Sequence, residues 1–142
     1  MSTRQSQTRG GGTNRCRGSE AVTRGIRVEV RPSYAPDQSH PASGKYVFAY
    51  RVRISNQSDQ TVRLISRRWL IIDADGCERI VEGDGVVGRQ PELEPGGHFE
   101  YESFCPLESA WGTMQGTYFF EGETEPFEVR VARFYLVADG DV

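Results

Sequence analysis

An alternating stretch in the first half of the chain restricts the fold more than any other feature of the sequence. Between residues 45 and 55, large apolar side chains occupy every second position, and arginines lie between them. Successive side chains of a β-strand point to opposite faces, so a period of two predicts a half-buried strand. The apolar members of this strand are Phe48, Tyr50, Val52 and Ile54.

The same alternation recurs in other short segments, which turn-forming residues separate. The sequence DADG at residues 73–76 predicts a hairpin turn. The run WLII at residues 69–72 predicts either a strand covered on both faces or a bulge. About seven short strands without a helical stripe predict an all-β fold, an antiparallel β-sandwich of the immunoglobulin or fibronectin type III kind. We expect its core to contain Phe48, Tyr50, Val52, Ile54, Leu64, Ile71, Phe99, Tyr101, Met114, Tyr118, Val129 and Val131.

The N-terminal segment differs from the rest of the chain in its charge. Residues 1–24 carry five arginines against Glu20 alone, a net charge of +4, whereas the whole chain carries −3. Residues 1–19 also lack apolar periodicity, which favours a disordered extension over a basic segment that binds nucleic acid or an anionic surface. We assign residues 1–23 to this disordered basic tail. We therefore expect one domain over residues 24–138, with its first strand near Gly25, and a short C-terminal tail over residues 139–142.

The sequence also indicates the cellular compartment of the protein. No stretch approaches the roughly 18 apolar residues of a membrane span, and the N-terminal segment lacks the apolar core of a secretory signal. Cys16, Cys77 and Cys105 are widely spaced and form no CxxC pair, which favours reduced thiols over a disulfide framework. The sequence therefore predicts a cytoplasmic protein with no membrane partner.

Charged residues at the outward positions of the predicted strands include both signs. Opposite charges that face each other on neighbouring strands stabilise a sheet by roughly 0.2–1 kcal/mol each. We expect such pairs across one sheet. Because carboxylates are interleaved with the arginines, the surface should not be strongly positive, and no nucleic-acid partner is expected. The residues concerned are Arg27, Glu29, Arg31, Arg51, Arg53, Glu100 and Glu102.

A glycine-rich segment, GDGVVG at residues 83–88, matches the GxGxxG pattern of dinucleotide sites. That pattern requires a helix after the last glycine, and here Pro91, Pro95 and paired glycines follow instead. A Rossmann site is therefore excluded by its context. Two readings remain: a phosphate held by loop amides in another geometry, or a glycine-shaped loop that exposes Val86 and Val87.

Metal-binding and catalytic patterns are weak in this sequence. Residues 73–78, DADGCE, carry oxygen ligands, but their spacing falls short of the roughly twelve-residue calcium loop and fits a hairpin turn better. His40 and His98 lack the neighbouring ligands of a zinc site, and neither belongs to a sequence pattern that marks a catalytic triad. We expect no metal, no cofactor and no catalytic residue. An enzyme is the less favoured class, although distant residues can assemble a hydrolytic site.

Several motifs occur in order along the second half of the chain. The segment GVVGRQPELEPGGHFEYESFCPLESAWGTMQGTYFF occupies residues 85–120 and follows Gly83 and Asp84. Residues 83–120 combine GxGVVG, QPxLxPG, FxYxS and GxMxGxY patterns. Together with WLIIDADG upstream and FEVRVARFYLVA at the end, they resemble the ApaG family over residues 24–138. The resemblance implies a fibronectin type III-like sandwich in a bacterial, cytoplasmic protein. It also implies kinship with protein-interaction domains of some eukaryotic F-box proteins and a family association with cobalt and magnesium tolerance.

Two functions are compatible with these observations. The first is a non-catalytic binding module, a monomer or weak homodimer, that recognises a protein or small ligand through the glycine-rich loop face. The alternative is a nucleotide or pyrophosphate binder, even a weak hydrolase, in which loop amides approach the phosphates and Arg79 or Arg89 adds charge. The predicted loop-face residues are Gly83, Gly85, Val86, Val87, Gly88, Gln90, Pro91 and Trp111.

Overall fold

Strands make up almost all of the regular structure in the computed structural model, which describes residues 17–139. They are β1 (Ser19–Thr23), β2 (Ile26–Tyr34), β3 (Tyr46–Asn56), β4 (Val62–Asp73), β5 (Glu78–Asp84), β6 (Glu92–Leu93), β7 (His98–Leu107), β8 (Trp111–Glu121) and β9 (Pro126–Val137). Between β2 and β3 lie two short 3-10 turns, Pro36–Gln38 and Pro41–Ser43. Within the described range, no helix is long and apolar enough to cross a membrane.

The strands form two antiparallel sheets that pack face to face. The first sheet has the order β1-β2-β3-β7, and the second has the order β5-β4-β8-β9. The two-residue strand β6 pairs with β4 on the same side as β5. This architecture confirms the predicted antiparallel β-sandwich, with β1 and β6 as short additions to the strands that the sequence indicated.

The ordered chain begins earlier than the sequence predicted. Ser19–Thr23 pairs with β2, and the turn between the two strands places Arg24 and Gly25 at φ values of 51° and 82°. The Ser19 hydroxyl donates a hydrogen bond of 2.7 Å to the carbonyl of Ala132 on β9. The predicted tail over residues 1–23 is therefore wrong for its last part, because this segment gains a strand partner. Residues 1–16 and 140–142 lie outside the described residues.

The core lies between the sheets and is centred on aromatic rings. Trp69 makes edge-to-face contacts with Tyr50, Tyr118 and Phe134, at centroid distances of 5.6, 5.9 and 5.9 Å. Every residue of the predicted core is buried except Phe99, which is half-buried and packs against it. The register of β4 shifts between Leu64 and Ser66, before the WLII run, and the pairing with β8 is regular through residues 69–72. Within the run, Trp69 and Ile71 are buried and Leu70 and Ile72 are half-buried, so neither the bulge nor complete cover on both faces describes it.

The outward face of the first sheet carries the predicted ion pairs. Arg53 lies between Glu29 on β2 and Glu100 on β7, and its guanidinium donates a hydrogen bond to Glu100. Arg27 forms an ion pair of 2.6 Å with Glu20 on β1. These pairs are partly exposed, so each contributes little to stability. They confirm the predicted charge pattern in part, because Arg53 pairs with Glu100 as expected, whereas Arg31 lies opposite Arg51.

The two sides of the sandwich differ. On one side, β1 and β2 contact β9, which closes the gap between the sheets. On the other side, β5 is the last strand of the second sheet and β7 the last strand of the first. This open side, defined by β5 and β7, carries the glycine-rich loop and the candidate site.

Candidate binding site at the open side

The glycine-rich loop is an excursion from an edge strand. Asp84, at the end of β5, lies opposite Ser66, and Glu92, at the start of β6, lies opposite Arg63 on the same strand. The chain therefore leaves the edge of β4 after residue 84 and returns to that edge at residue 92. We call residues 85–91 the excursion loop.

A tight turn forms the tip of the excursion loop. The amide of Val86 donates to the carbonyl of Arg89, and the amide of Arg89 donates back to Val86, both at 2.8 Å. The two residues between them, Val87 and Gly88, have φ values of 43° and 79°. Positive φ at both central positions defines a type I′ turn, which Asn-Gly normally occupies.

The two valines of this turn have opposite environments. Val86 is completely buried and belongs to the core, whereas 53% of the Val87 surface is exposed. The prediction that the loop exposes both valines is therefore wrong for Val86. Its side chain anchors the loop to the sandwich, because the turn directs neighbouring side chains to opposite sides. Val87 alone presents an apolar side chain to solvent at the tip.

The first two glycines of GDGVVG have internal packing roles. A Cβ on Gly85 would lie 2.3 Å from the carbonyl oxygen of Arg89, and Gly85 has a φ of 62°. A Cβ on Gly83 would lie 2.8 Å from the Arg67 guanidinium. Hydrogen bonds already engage the amides of Gly85, Val86 and Arg89, with carbonyl acceptors 2.7–2.8 Å away. The glycine pattern therefore shapes the loop, and these three amides are not free to bind phosphate.

Arg67 supports the loop from below and is a site residue that the sequence did not indicate. One of its guanidinium nitrogens donates to the carbonyls of Asp84 and Gly85, at 3.1 and 2.9 Å. Arg67 alternates with the buried Trp69 on β4, so it occupies an inward-facing position. The alternation could have identified Arg67 from the sequence. An arginine at an inward-facing position needs hydrogen-bond acceptors nearby, so its presence there indicates a polar site.

Further contacts fix the rest of the excursion loop. The side-chain amide of Gln90 donates to the carbonyl of Ile65 at 2.9 Å, and the Arg63 guanidinium donates to the carbonyl of Gln90 at 2.9 Å. The carbonyl of Pro91 accepts a hydrogen bond from the Leu64 amide. The Arg89 guanidinium lies over the ring of Phe99, 5.9 Å from its centroid. The loop is therefore held in one conformation by its neighbours.

Arg79, a predicted phosphate contact, lies away from the loop. It is four residues before Gly83 along β5, which corresponds to about 13 Å of strand. Its guanidinium donates to the carbonyl of Pro106 at 3.0 Å and contacts the sulfur of Cys105 at 3.8 Å. Arg79 thus bridges the two sheets at the open side and does not join Arg89.

Trp111, a predicted loop-face residue, also lies elsewhere. It begins β8, whereas Glu121 at the other end of that strand pairs with Arg63 beside the loop. Ten residues of strand separate the two ends, which is about 33 Å. The Trp111 side chain is half-exposed at the far end of the sandwich. The predicted loop face is therefore not a single surface: it consists of the excursion loop without Trp111.

Titratable groups cluster behind the open side but stay protonated near neutral pH. The hydroxyls of Tyr101 and Tyr118 share a hydrogen bond, and burial raises the pKa of both phenols. Burial also raises the pKa of the Cys105 thiol to about 11, although Arg79 opposes the shift. A nucleophile works through its ionised form, and these shifts disfavour that form. The cluster is therefore suited to packing the two sheets together.

Comparison with known proteins supports the family that the sequence motifs resemble. The family model described as the ApaG domain matches residues 36–122. The chain belongs to the ApaG family. A Protein ApaG from Anaeromyxobacter dehalogenans is 49% identical over 125 residues, which cover 87% of this chain and 98% of the relative. A Protein ApaG from Brucella anthropi is 50% identical over 117 residues, which cover 82% of this chain and 90% of that protein.

Solved structures agree with this assignment to the ApaG family. A crystal structure of a Bordetella pertussis protein named ApaA has a TM-score of 0.78 and 49% identity, and the match covers 80% of this chain and 94% of that one. The C-terminal domain of Wzt has a TM-score of 0.51 at 11% identity, and the match covers 84% of this chain and 77% of that domain. At such low identity, the second comparison shows a shared fold only.

Proposed function

We propose that this chain is a non-catalytic binding module that recognises a partner protein through the tip of the excursion loop. The observation that carries the proposal is the conformation of Val87. A β-branched residue at positive φ is a genuine outlier, and such backbone strain costs about 1–3 kcal/mol. Its half-exposed side chain gains little packing within the fold in return. Contact with a partner is a reason to retain an exposed valine where Asn or Gly would be favoured.

The rigidity of the loop supports the same proposal. Arg67 and Gln90 fix the loop through its backbone, and Val86 anchors it in the core. A loop that is already in its bound conformation loses little entropy on binding, so a small contact area gives more affinity. A rigid apolar tip beside polar residues is the arrangement expected of a binding contact.

The alternative of a nucleotide or pyrophosphate site has less support. Arg79 and Arg89 do not converge, and three loop amides already have carbonyl acceptors. The proposal retains the cytoplasm as the compartment, as the resemblance to ApaG proteins and the cysteine pattern imply. A link between the binding module and cobalt or magnesium tolerance would then act through the partner.

Site-specific photo-crosslinking tests the proposal. A photoreactive amino acid replaces Val87 in one variant and Val22 in a control, because Val22 is exposed to a similar degree on the far side of the sandwich. After crosslinking in cells, we expect a discrete adduct from position 87 that position 22 does not give. The protein in that adduct, once purified, should bind the wild type at least tenfold more tightly than Val87→Gly.

Two results would contradict the proposal. One is identical adducts from both positions, which would indicate non-specific contact. The other is a saturable thermal stabilisation by ATP or pyrophosphate that Gly85→Val removes in a folded variant, because stabilisation by mass action reports a ligand site. The second result would favour the alternative function.

A further inference from the structure

The backbone pairing of β5 determines which of its groups remain free. The Gly85 amide donates to Ile65, and the Asp73 amide donates to Cys77, so these two pairs are hydrogen-bonded. Such pairs alternate with non-bonded pairs along an antiparallel ladder. The odd-numbered residues of β5 therefore bond to β4. The residues that direct their N–H and C=O groups away from β4 are Glu78, Ile80, Glu82 and Asp84. Within residues 17–139, the Asp84 carbonyl accepts a hydrogen bond from Arg67, and the other outward groups have no backbone partner.

These outward residues also share one side-chain pattern. Their side chains lie on the outer face of the second sheet, since they pair with residues of β4 that alternate with the buried Trp69 and Ile71. Ile80 is 52% exposed, and it stands among three exposed carboxylates, of which Glu82 forms an exposed ion pair of 3.2 Å with Arg68 on β4. The free edge thus offers backbone hydrogen-bonding groups next to one apolar and three acidic side chains.

A second copy of β5 complements this edge poorly in the registers that align most of the strand. Antiparallel self-pairing centred on Ile80 would oppose Glu78 with Glu82. Self-pairing centred on Val81 would place Glu78 opposite Asp84. Self-pairing centred on Glu82 would place Glu82 of one copy opposite Glu82 of the other. Like charges directly opposite each other destabilise a strand pair. A strand with basic side chains at the matching positions would complement the edge best, because opposite charges that face each other stabilise a strand pair.

We propose that β5 receives an extended basic segment of a partner protein, which adds as a further antiparallel strand to the second sheet. The partner strand would carry Lys or Arg opposite Asp84, Glu82 and Glu78, and an apolar residue opposite Ile80. Main-chain hydrogen bonds would supply affinity, and the alternate side chains would supply specificity. The inference rests on the proposed binding function but uses a surface separate from the Val87 tip.

The test uses the whole protein and a seven-residue peptide, KTKVITK, with blocked ends. In the free protein, the outward amides of β5 should exchange with deuterium faster than those of Arg79, Val81 and Gly83. We expect the peptide to slow exchange at Ile80 and Glu82 at least fivefold, as followed by NMR. The acidic peptide ETEVITE should have no such effect. N-methylation of the third and fifth peptide residues should abolish protection, whereas N-methylation of the fourth should not.

A charge variant provides the matched protein control. Glu82→Gln with Asp84→Asn should weaken peptide binding about three- to tenfold at low salt, because the double variant removes two opposite-charge pairs. The inference would be overturned if the peptide gave no protection or if both peptides bound equally. It would also be overturned if protection increased with protein concentration in the absence of peptide, because that result would indicate self-pairing. Val87→Gly should bind the peptide normally, so failure at β5 and failure at the loop tip are distinguishable.

Discussion

The hydroxyl of Tyr101 on β7 and the hydroxyl of Tyr118 on β8 share a hydrogen bond that joins the two sheets. Both phenols lie in the core, and the ring of Tyr118 also meets the edge of Trp69. A buried hydroxyl without a partner costs about 1–3 kcal/mol. The bond therefore matters mainly because each hydroxyl supplies the hydrogen-bond partner that the other needs. Two tyrosines can then pack in a part of the core where phenylalanine would be expected.

Replacing one member of this pair should cost more than replacing both. Tyr118→Phe should lower the free energy of unfolding by about 1–3 kcal/mol, because it leaves the Tyr101 hydroxyl unpaired. The double variant Tyr101→Phe with Tyr118→Phe should lose less than the sum of the single losses. Urea unfolding of all four proteins measures this coupling. Strict additivity would show that the hydroxyls do not depend on each other.

The two valines of the turn should respond in opposite ways to the same substitution. Val86→Asp would bury an unpaired carboxylate, so we expect a loss of at least about 3 kcal/mol or an unfolded protein. Val87→Asp should leave the fold intact, with a change within about 0.5 kcal/mol. Circular dichroism and urea unfolding compare the two directly. An intact, fully stable Val86→Asp protein would contradict the burial of that side chain.

Relieving the strain at the loop tip should stabilise the protein. Val87→Gly removes a β-branched side chain from a positive-φ position, and we expect the free energy of unfolding to rise by up to about 1 kcal/mol. Val22→Gly, at an exposed position within β1, should instead destabilise because glycine weakens strand interiors. Thermal melting of both variants provides the measurement. A stability loss in Val87→Gly would mean that the valine packs usefully within the fold.

Two glycines at positive φ separate the effect of conformation from the effect of contact. Gly85 and Gly88 have φ values of 62° and 79°, so alanine is conformationally disfavoured at both. Only at Gly85 would the new Cβ also meet a backbone oxygen, whereas nothing lies within 4 Å at Gly88. Gly85→Ala should therefore cost at least about 1 kcal/mol more than Gly88→Ala. Equal losses in urea unfolding would show that contact adds nothing.

Alkaline pH should destabilise the fold through the Cys105 thiol. Burial raises its pKa from 9.0 to about 11, so the folded chain keeps a proton that the unfolded chain loses. The stability that this thiol contributes is complete below pH 9 and is lost as pH rises through 11, by about 3 kcal/mol in all, because each unit between the two pKa values corresponds to about 1.4 kcal/mol. Cys105→Ala should show a shallower loss of stability over this range, whereas Cys77→Ala, at an exposed thiol, should behave as the wild type.

The sequence predicted the fold well because strand alternation follows directly from the backbone. Side chains point to alternate faces, so a residue such as Val52 must be buried if one face of its strand is covered. The segment at Ser19–Thr23 was missed because a five-residue strand with polar neighbours depends on its partner β2 rather than on its own pattern. That dependence is tertiary, and local periodicity does not contain it.

The candidate site was harder to predict for a different reason. The adjacent valines 86 and 87 have no periodicity, and only the φ values of the turn decide which one is buried. Trp111 was assigned to the loop face because it is close to the loop in sequence. It is the first residue of β8, however, and the other end of β8 lies beside the loop, so Trp111 lies at the far end of the sandwich. Arg67 could have been found from the sequence, because it occupies an inward-facing position of its strand. Gly83 lies directly opposite it and leaves room for the guanidinium.

The excursion loop leaves and rejoins a single edge strand, and this has a consequence for engineering. Between Asp84 and Glu92 the chain advances eight residues, while their partners Ser66 and Arg63 are three apart, so five residues are surplus to the pairing. Loop length is therefore uncoupled from strand order. We expect the fold to accept foreign peptides between these two anchor points, as long as an apolar side chain fills the place of Val86, so the sandwich would serve as a display scaffold with a defined insertion point.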